Sequence, residues 1–249
     1  MRVILGAVVA LLAAPLALAG SIPEPVVLSK PRFPAPATEV TPSGPRLVLV
    51  SSRFRDPGAL PPQRLAPPSW APRAFKGAEL ESAVLQHGKL FLVYDGRYVI
   101  GANARTQSLR YAYDVTTLTR PPNRAEFEPV TWAREADGVL YLSNSHLTYA
   151  TQTKGRNAYV TAIELGAKKV LWRSPALVAN ARTFVVSGDV IVAGYGFTAE
   201  LDFLYVLDRR TGEVLDRLPV TSAPEIIKLR GDLLHVRTYD RQLVVRLRR

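Results

Sequence analysis

The amino-acid sequence predicts an all-β fold, a β-propeller of four-stranded blades with about four to five repeat units. Three observations carry that expectation. From about residue 79 onward the chain is short β-branched and aromatic runs divided by Gly, Asp and Asn, with no stretch of 3.6-residue amphipathic period. A hairpin pattern centred on glycine recurs at 84–92, 132–142, 184–192 and 226–236, with Gly88, Gly138, Gly188 and Gly231 spaced 50, 50 and 43 residues apart. A second element of strand, polar turn and strand follows the hairpins: residues 159–172 align without a gap onto 203–216, and 99–111 onto 204–216. One unit is then four strands in about 45 residues, the repeat length of a propeller blade. An irregular β-sandwich is the alternative.

Taken in chain order, the first element is an export signal. Residues 1–19 carry one cation at Arg2, an apolar run from Val3, a late Pro15 and Ala17-Leu18-Ala19, which is the layout of a signal peptide cleaved after Ala19. An uncleaved anchor is the competing reading, since about 17 apolar residues lie at the lower edge of a spanning helix. No other segment is long and apolar enough to span a bilayer, and no cysteine follows the apolar run to carry a lipid.

Residues 20–75 form a Pro-rich arm or linker. It holds 13 of the 20 prolines, too many for a central strand or helix, because proline lacks a backbone donor and fixes φ. Two apolar runs interrupt it, Val26-Val27-Leu28 and Leu47-Val48-Leu49-Val50. The repeat domain, 76–249, ends without an outer strand for its last unit, and an unpaired edge is a liability. One of the two apolar runs is therefore expected to pair near the C-terminal strand. Gly44, 44 residues before Gly88, hints at a fifth, degraded unit.

Composition excludes several chemistries. With no cysteine the chain has no disulfide framework, no Cys-ligated zinc or iron–sulfur cluster and no thiol nucleophile. The formal charge of +11, or +10 once Arg2 is removed with the signal, favours anionic polymers, headgroups or acidic proteins as partners. The densest cationic run is Arg237, Arg241, Arg246, Arg248 and Arg249. No recognition helix or aromatic-basic interleaving points to nucleic acid.

Catalytic signatures are weak. His87, His146 and His235 have no metal-ligand spacing, and Ser143, Ser145 and Ser187 lack a nucleophile elbow. The carboxylate pairs Glu79/Glu81, Glu126/Glu128, Glu135/Asp137 and Glu200/Asp202 sit two residues apart, on one face if extended, where they suit acid–base work or simply a solvated face. No catalytic residue, metal or cofactor is assigned.

At Leu204-Tyr205-Val206-Leu207-Asp208-Arg209-Arg210-Thr211-Gly212 the chain resembles the PQQ-like repeat of the quinoprotein-like β-propellers. In that repeat an apolar strand is followed by Asp, two variable residues, Thr-Gly, three more residues and Trp. Asp208, Thr211 and Gly212 match, while Asp216 stands in the Trp column; the preceding unit has Trp172 there but Ala167-Lys168 in place of Thr-Gly. In the family the Trp of one blade docks on the next, and here Trp and Thr-Gly stand in different repeats. The resemblance implies the fold over about 80–249. It does not carry over the redox chemistry of the quinone-cofactor dehydrogenases, which are much longer, with a full ring around the cofactor, and many of which use a vicinal disulfide that this Cys-free chain cannot make.

The expected function is an exported, non-enzymatic binding or scaffold protein of the bacterial periplasm or exterior, contacting a protein or an anionic envelope polymer. Arg134, Arg156, Arg182, Arg209 and Arg210 are its candidate contacts, with oligomeric state left open. The alternative is a carbohydrate-active hydrolase or lyase, and a quinone-cofactor oxidoreductase stands behind both.

Overall fold

A computed structural model describes residues 21–58, 66–119, 127–146 and 148–249. The expected signal peptide, Glu126 and part of the Pro-rich arm lie outside the described residues. The arm supplies β1 (Val26–Val27), β2 (Arg46–Phe54) and β3 (Ala74–Phe75). Blade 1 follows with β4 (Ala78–Gln86), β5 (Lys89–Tyr94), β6 (Tyr98–Asn103) and β7 (Leu109–Asp114), then a single helical turn, α1 (Thr116–Thr119). Blade 2 is β8 (Val130–Ala136), β9 (Val139–Asn144), β10 (Tyr159–Glu164) and β11 (Lys169–Arg173). Blade 3 is β12 (Val185–Ser187), β13 (Val190–Tyr195), β14 (Asp202–Asp208) and β15 (Val214–Val220). Blade 4 contributes β16 (Pro224–Arg230), β17 (Leu233–Thr238) and β18 (Arg241–Arg248).

The recurrent glycines do what their spacing implies. Each blade opens with an antiparallel hairpin closed by two residues, and the strand twist there demands positive φ. In blades 1 and 2 both turn residues have it, His87 and Gly88 at 48° and 76°, Asp137 and Gly138 at 49° and 76°, as in a type I′ turn. In blades 3 and 4 glycine moves to the first position, as Gly188 and Gly231, with φ of 57° and 63°. The last turn of blades 1 and 3 also repeats. Asp208 Oδ1 accepts from the amides of Arg210 and Thr211, and Asn103 Oδ1 accepts in the same way from Arg105 and Thr106. The register shifts at one aligned column, between Gly101 and Ala102, Ala162 and Ile163, and Val206 and Leu207. The outer pair of blade 4, β18 with the arm's β2 strand, shifts in the same place between Val244 and Val245, so one bulge bends the outer strand pair of all four blades.

The last blade is completed from the amino-terminal side. β2 pairs antiparallel with β18, with Leu47 opposite Leu247 and Val48 opposite Arg246, giving the order β16-β17-β18-β2. The apolar run 47–50 thus belongs to blade 4 and is not a fifth unit. The other run does not reach the C-terminal strand: Val26 and Val27 pair in parallel with Tyr113 and Asp114 of β7. With β1 and β3 at its edges, blade 1 becomes a six-stranded sheet, and the other three have four strands each.

Apolar faces stack the blades in order. One core joins blades 1, 2 and 3 through Phe91, Val93, Leu140, Ile163 and Ile191. A second joins blades 3 and 4 through Val192, Leu204, Leu234 and Val245. The outward face of blade 1, with Leu92 and Ile100, packs against Trp70, Ala71 and Phe75. Among the described residues no core cluster joins blade 4 to blade 1.

Between residues 26 and 54 the chain touches blades 1, 2 and 3 in turn and then supplies the outermost strand of blade 4. Leu28 is buried and its amide reaches the Asp114 carbonyl at 3.4 Å in blade 1; Phe33 lies edge-on to Tyr159 of blade 2; the Ser43 amide donates to the Leu215 carbonyl of blade 3 at 3.3 Å. Proline is suited to such a path, which needs few backbone donors. Among the described residues no helix is long and apolar enough to cross a membrane.

Candidate functional site

The five arginines expected as contacts do not form one surface. Arg134, on β8, and Arg209 and Arg210, in the β14–β15 turn, lie at the end of the blades that carries the glycine hairpins. Arg156, in the β9–β10 loop, and Arg182, before β12, lie at the opposite end. Arg156, Arg182 and Arg210 are exposed. Arg182 is near Glu225, whose carboxyl is raised by burial and drawn back by Arg237, Arg182 and Arg55.

At the hairpin end three blades converge. Arg209 belongs to blade 3 and crosses to blade 2, donating to Tyr141 Oη at 2.9 Å, Asp137 Oδ2 at 2.7 Å and the Gly188 carbonyl at 3.0 Å. Burial alone would lower its pKa, but Tyr141 and Asp137 outweigh burial and raise it. Arg209 is therefore a tie between blades with its donors in use. Arg134 differs. Its guanidinium donates to His87 Nε2 of blade 1 at 3.3 Å, its Nε is buried without a hydrogen-bond partner, and no described carboxylate pairs with it. Burial, then the charge of Arg209, lowers its pKa. A cation kept in a partly desolvated site beside a second cation is an electrostatic deficit that an incoming anion relieves.

The carboxylates are mostly engaged inside the fold. Glu135 accepts from Lys89 at 2.7 Å, Arg110 at 3.0 Å and Tyr111 Oη at 2.9 Å, tying blade 2 to blade 1. Burial would raise its pKa, but those three donors outweigh it and hold the carboxyl below its ordinary value. Glu79 and Glu81 are exposed on β4. Glu200 accepts from Tyr195 Oη at 2.5 Å and the Ala150 amide at 2.6 Å. Its neighbour Asp202 is pushed up to about 6, chiefly by burial and further by the Glu200 charge. His146 sits beside Asn157, whose Oδ1 accepts its amide at 2.7 Å, and His235 lies on a half-exposed strand face.

One polar cluster had no sequence signal. Arg173, 2% exposed, lies 3.7 Å from Glu128, which is fully buried, and donates to the Leu118 carbonyl and Asn144 Oδ1 at 2.9 and 3.2 Å. Its guanidinium is stacked between the rings of Tyr159 and Phe33, 3.9 and 4.6 Å from their centroids. These residues come from the arm, the connection between blades 1 and 2, and three strands of blade 2, so no spacing in the sequence announces them.

Comparison with protein-family models finds no match, and comparison with curated proteins finds none. Solved structures with a similar fold do exist. The computationally designed Ika8 protein matches 68% of this chain at 13% identity and a TM-score of 0.47, and this chain spans about half of it, 48%. BamB from Moraxella catarrhalis matches 68% at 12% identity and a TM-score of 0.38, over 64% of its own length. A quinohemoprotein alcohol dehydrogenase from Pseudomonas putida HK5 matches 63% at 13% identity and a TM-score of 0.39, over 32% of its own length. The chain is an all-β propeller-type protein with one six-stranded and three four-stranded sheets among the described residues.

Proposed function

We propose that this chain is an exported, non-enzymatic binding protein that holds a protein or an anionic envelope polymer at the hairpin end of its blades. The observation that carries the reading is Arg134, whose charge is half-buried beside Arg209 and oriented by His87 without a carboxylate. The fold supplies rigidity to the contact, since hairpin turns from three blades meet there. The test is co-sedimentation of the mature chain with isolated bacterial envelopes at rising salt. Wild type pellets with the envelopes and is released by salt, and Arg134→Glu releases at markedly lower salt. Equal release of the two proteins overturns the reading.

A second reading rests on Glu200 and Asp202. A carboxyl held near 6 with a second carboxyl group beside it suits general acid–base work on a glycan. Turnover of an envelope glycan that is lost in Asp202→Asn would favour it over binding alone.

A further inference from the structure

The face of blade 4 that turns away from blade 3 stands apart from every other blade face. Its composition follows from strand register. In β16, β17, β18 and β2 the residues that alternate with the set packed on blade 3 share the side turned away from it, where Ile226, opposite Arg237, is buried and Arg237 Nη2 donates to the Gly58 carbonyl at 3.3 Å. The pairings place Arg230 and Arg246 in one row across the sheet, Lys228 and His235 in the next, and Arg237 and Arg53 in the third. Beyond the first row, Arg46 stands directly opposite Arg248. None of the paired positions on this side is Asp or Glu. The nearest carboxylates are at its margins, where Asp232 meets Arg246 at 3.1 Å and Glu225 meets Arg237 at 3.6 Å. Arg46, Arg53, Lys228, Arg230 and Arg248 are exposed and make no ion pair with a described residue. Between them run Val48, Leu233 and Val244, each half-buried.

In the rest of the stack such a blade face is apolar and covered by the next blade or, in blade 1, by Trp70 and Phe75. Blade 4 carries cations where the other blades carry apolar side chains. We infer that this face is a docking surface for an acidic protein, whose carboxylates pair with the arginine rows while aliphatic side chains meet the Val48–Val244 strip. Three considerations select that occupant. A second copy on a two-fold axis would set this face against itself and oppose like charges. A strongly hydrated polyanion gains little from the aliphatic strip. Arginine predominates over lysine on the face, which favours planar, bidentate carboxylate pairing over a loose counter-ion atmosphere. Four strands and four rows span roughly 14 by 20 Å. That is the core of a small, salt-sensitive interface rather than a permanent one. The face shares no side chain with the Arg134 cluster, so it stands or falls separately.

The experiment places a photo-crosslinking p-benzoylphenylalanine at Val244 of the full chain in the producing cell and identifies the adduct by mass spectrometry. A parallel strain carries the exposed set Lys228→Glu, Arg230→Glu and Arg246→Glu, its fold checked by thermal melting. The expected result is a heterologous protein adduct whose crosslinked peptide is rich in Asp and Glu. That adduct falls about tenfold in the charge-reversed strain and on washing at high salt. The milder set with Gln in place of Glu falls less. An adduct to a second copy, to lipid or to glycan, a protein adduct indifferent to charge reversal, or no protein adduct at all overturns the inference. Purified chain is also mixed with vesicles of 30% phosphatidylglycerol: binding there that charge reversal abolishes, without a protein adduct in cells, assigns the face to a membrane instead.

Discussion

The indole of Trp172, on the last strand of blade 2, lies on Gly212 in the last turn of blade 3, and its Nε1 donates to the Arg209 carbonyl at 3.1 Å. The motif that looks broken within either repeat is complete across two: Trp comes from one blade and Thr-Gly from the next. A Cβ at Gly212 would stand 2.4 Å from Trp172 Cε3, and the φ of +77° is strained for any side chain. Gly212→Ala therefore meets both a backbone and a packing penalty, about 2–4 kcal/mol together. Trp172→Phe opens space but loses the indole bond. In urea denaturation Gly212→Ala should be the more damaging, and combining it with Trp172→Ala should cost less than the sum of the two singles.

Asp216 explains why the next junction needs no Trp. Occupying the Trp column of blade 3, it accepts from the Leu47 amide at 2.7 Å and so pins β2, the strand borrowed from the arm, to the blade before it. Asp216→Ala leaves the Leu47 donor without this partner and should destabilise by about 1–3 kcal/mol. The loss should be accompanied by faster hydrogen exchange at Val48–Arg53 than elsewhere in blade 4. Uniform exchange across the blade would show that the bond does not anchor β2.

These two junctions mark what the sequence made readable. Hairpin turns were legible because a two-residue turn restricts residue type locally: Gly88, Gly138, Gly188 and Gly231 could be found without knowing any contact. Strand order within each unit followed, as did the need for a strand to finish blade 4, met by Leu47-Val48-Leu49-Val50. What could not be read were pairings between units. Trp172 with Gly212, Asp216 with Leu47 and Arg173 with Glu128 are set by how blades stack, and no periodicity encodes them. The same limit applies to the arginines. Arg134 and Arg209 are neighbours in space, yet their different engagement depends on Asp137 and Tyr141, which belong to another part of the chain from Arg209.

Arg173 should be the most sensitive single position. Removing a cation from a carboxylate with no exposure costs about 3–5 kcal/mol, more than the isolated worth of the pair, because the remaining charge stays desolvated. Arg173→Gln should lower the urea midpoint strongly. Burial pushes the Arg173 pKa down to about 10, with Glu128 opposing, so it remains charged across the neutral range and its contribution should not vary between pH 6 and 8. Restored stability in Arg173→Met with Glu128→Leu would separate the cost of an unpaired charge from that of lost packing.

Glu135 and Asp202 predict opposite pH dependences. The Glu135 carboxyl is held below its ordinary value, so its stabilising bonds are present above that value and fade as pH falls through the lowered one. Glu135→Gln should therefore be destabilising at pH 7, with the gap to wild type narrowing below about pH 4. Asp202 is raised from 3.8 to about 6, so the folded chain holds its proton longer than the unfolded one and loses stability as pH rises across that window. Asp202→Asn should gain in melting temperature relative to wild type on going from pH 4 to pH 7. A constant difference for either variant across its window would contradict the assigned environment.

The pairing of Arg46 with Arg248 predicts that stability and binding pull in opposite directions on the cationic face of blade 4. Like charges directly opposite in a strand pair are unfavourable, and both side chains are exposed, so nothing within the described chain offsets their repulsion. Arg46→Glu turns the pair attractive. It should stabilise the isolated protein by a few tenths of a kcal/mol up to about 1, an effect that shrinks in high salt. If the face binds an acidic surface, the same substitution should weaken that complex, most of the loss appearing in a slower, less salt-dependent association. Melting and association kinetics on the same preparation check both halves. A variant that is more stable and binds unchanged would show that the repulsion at Arg46 and Arg248 is not retained for binding.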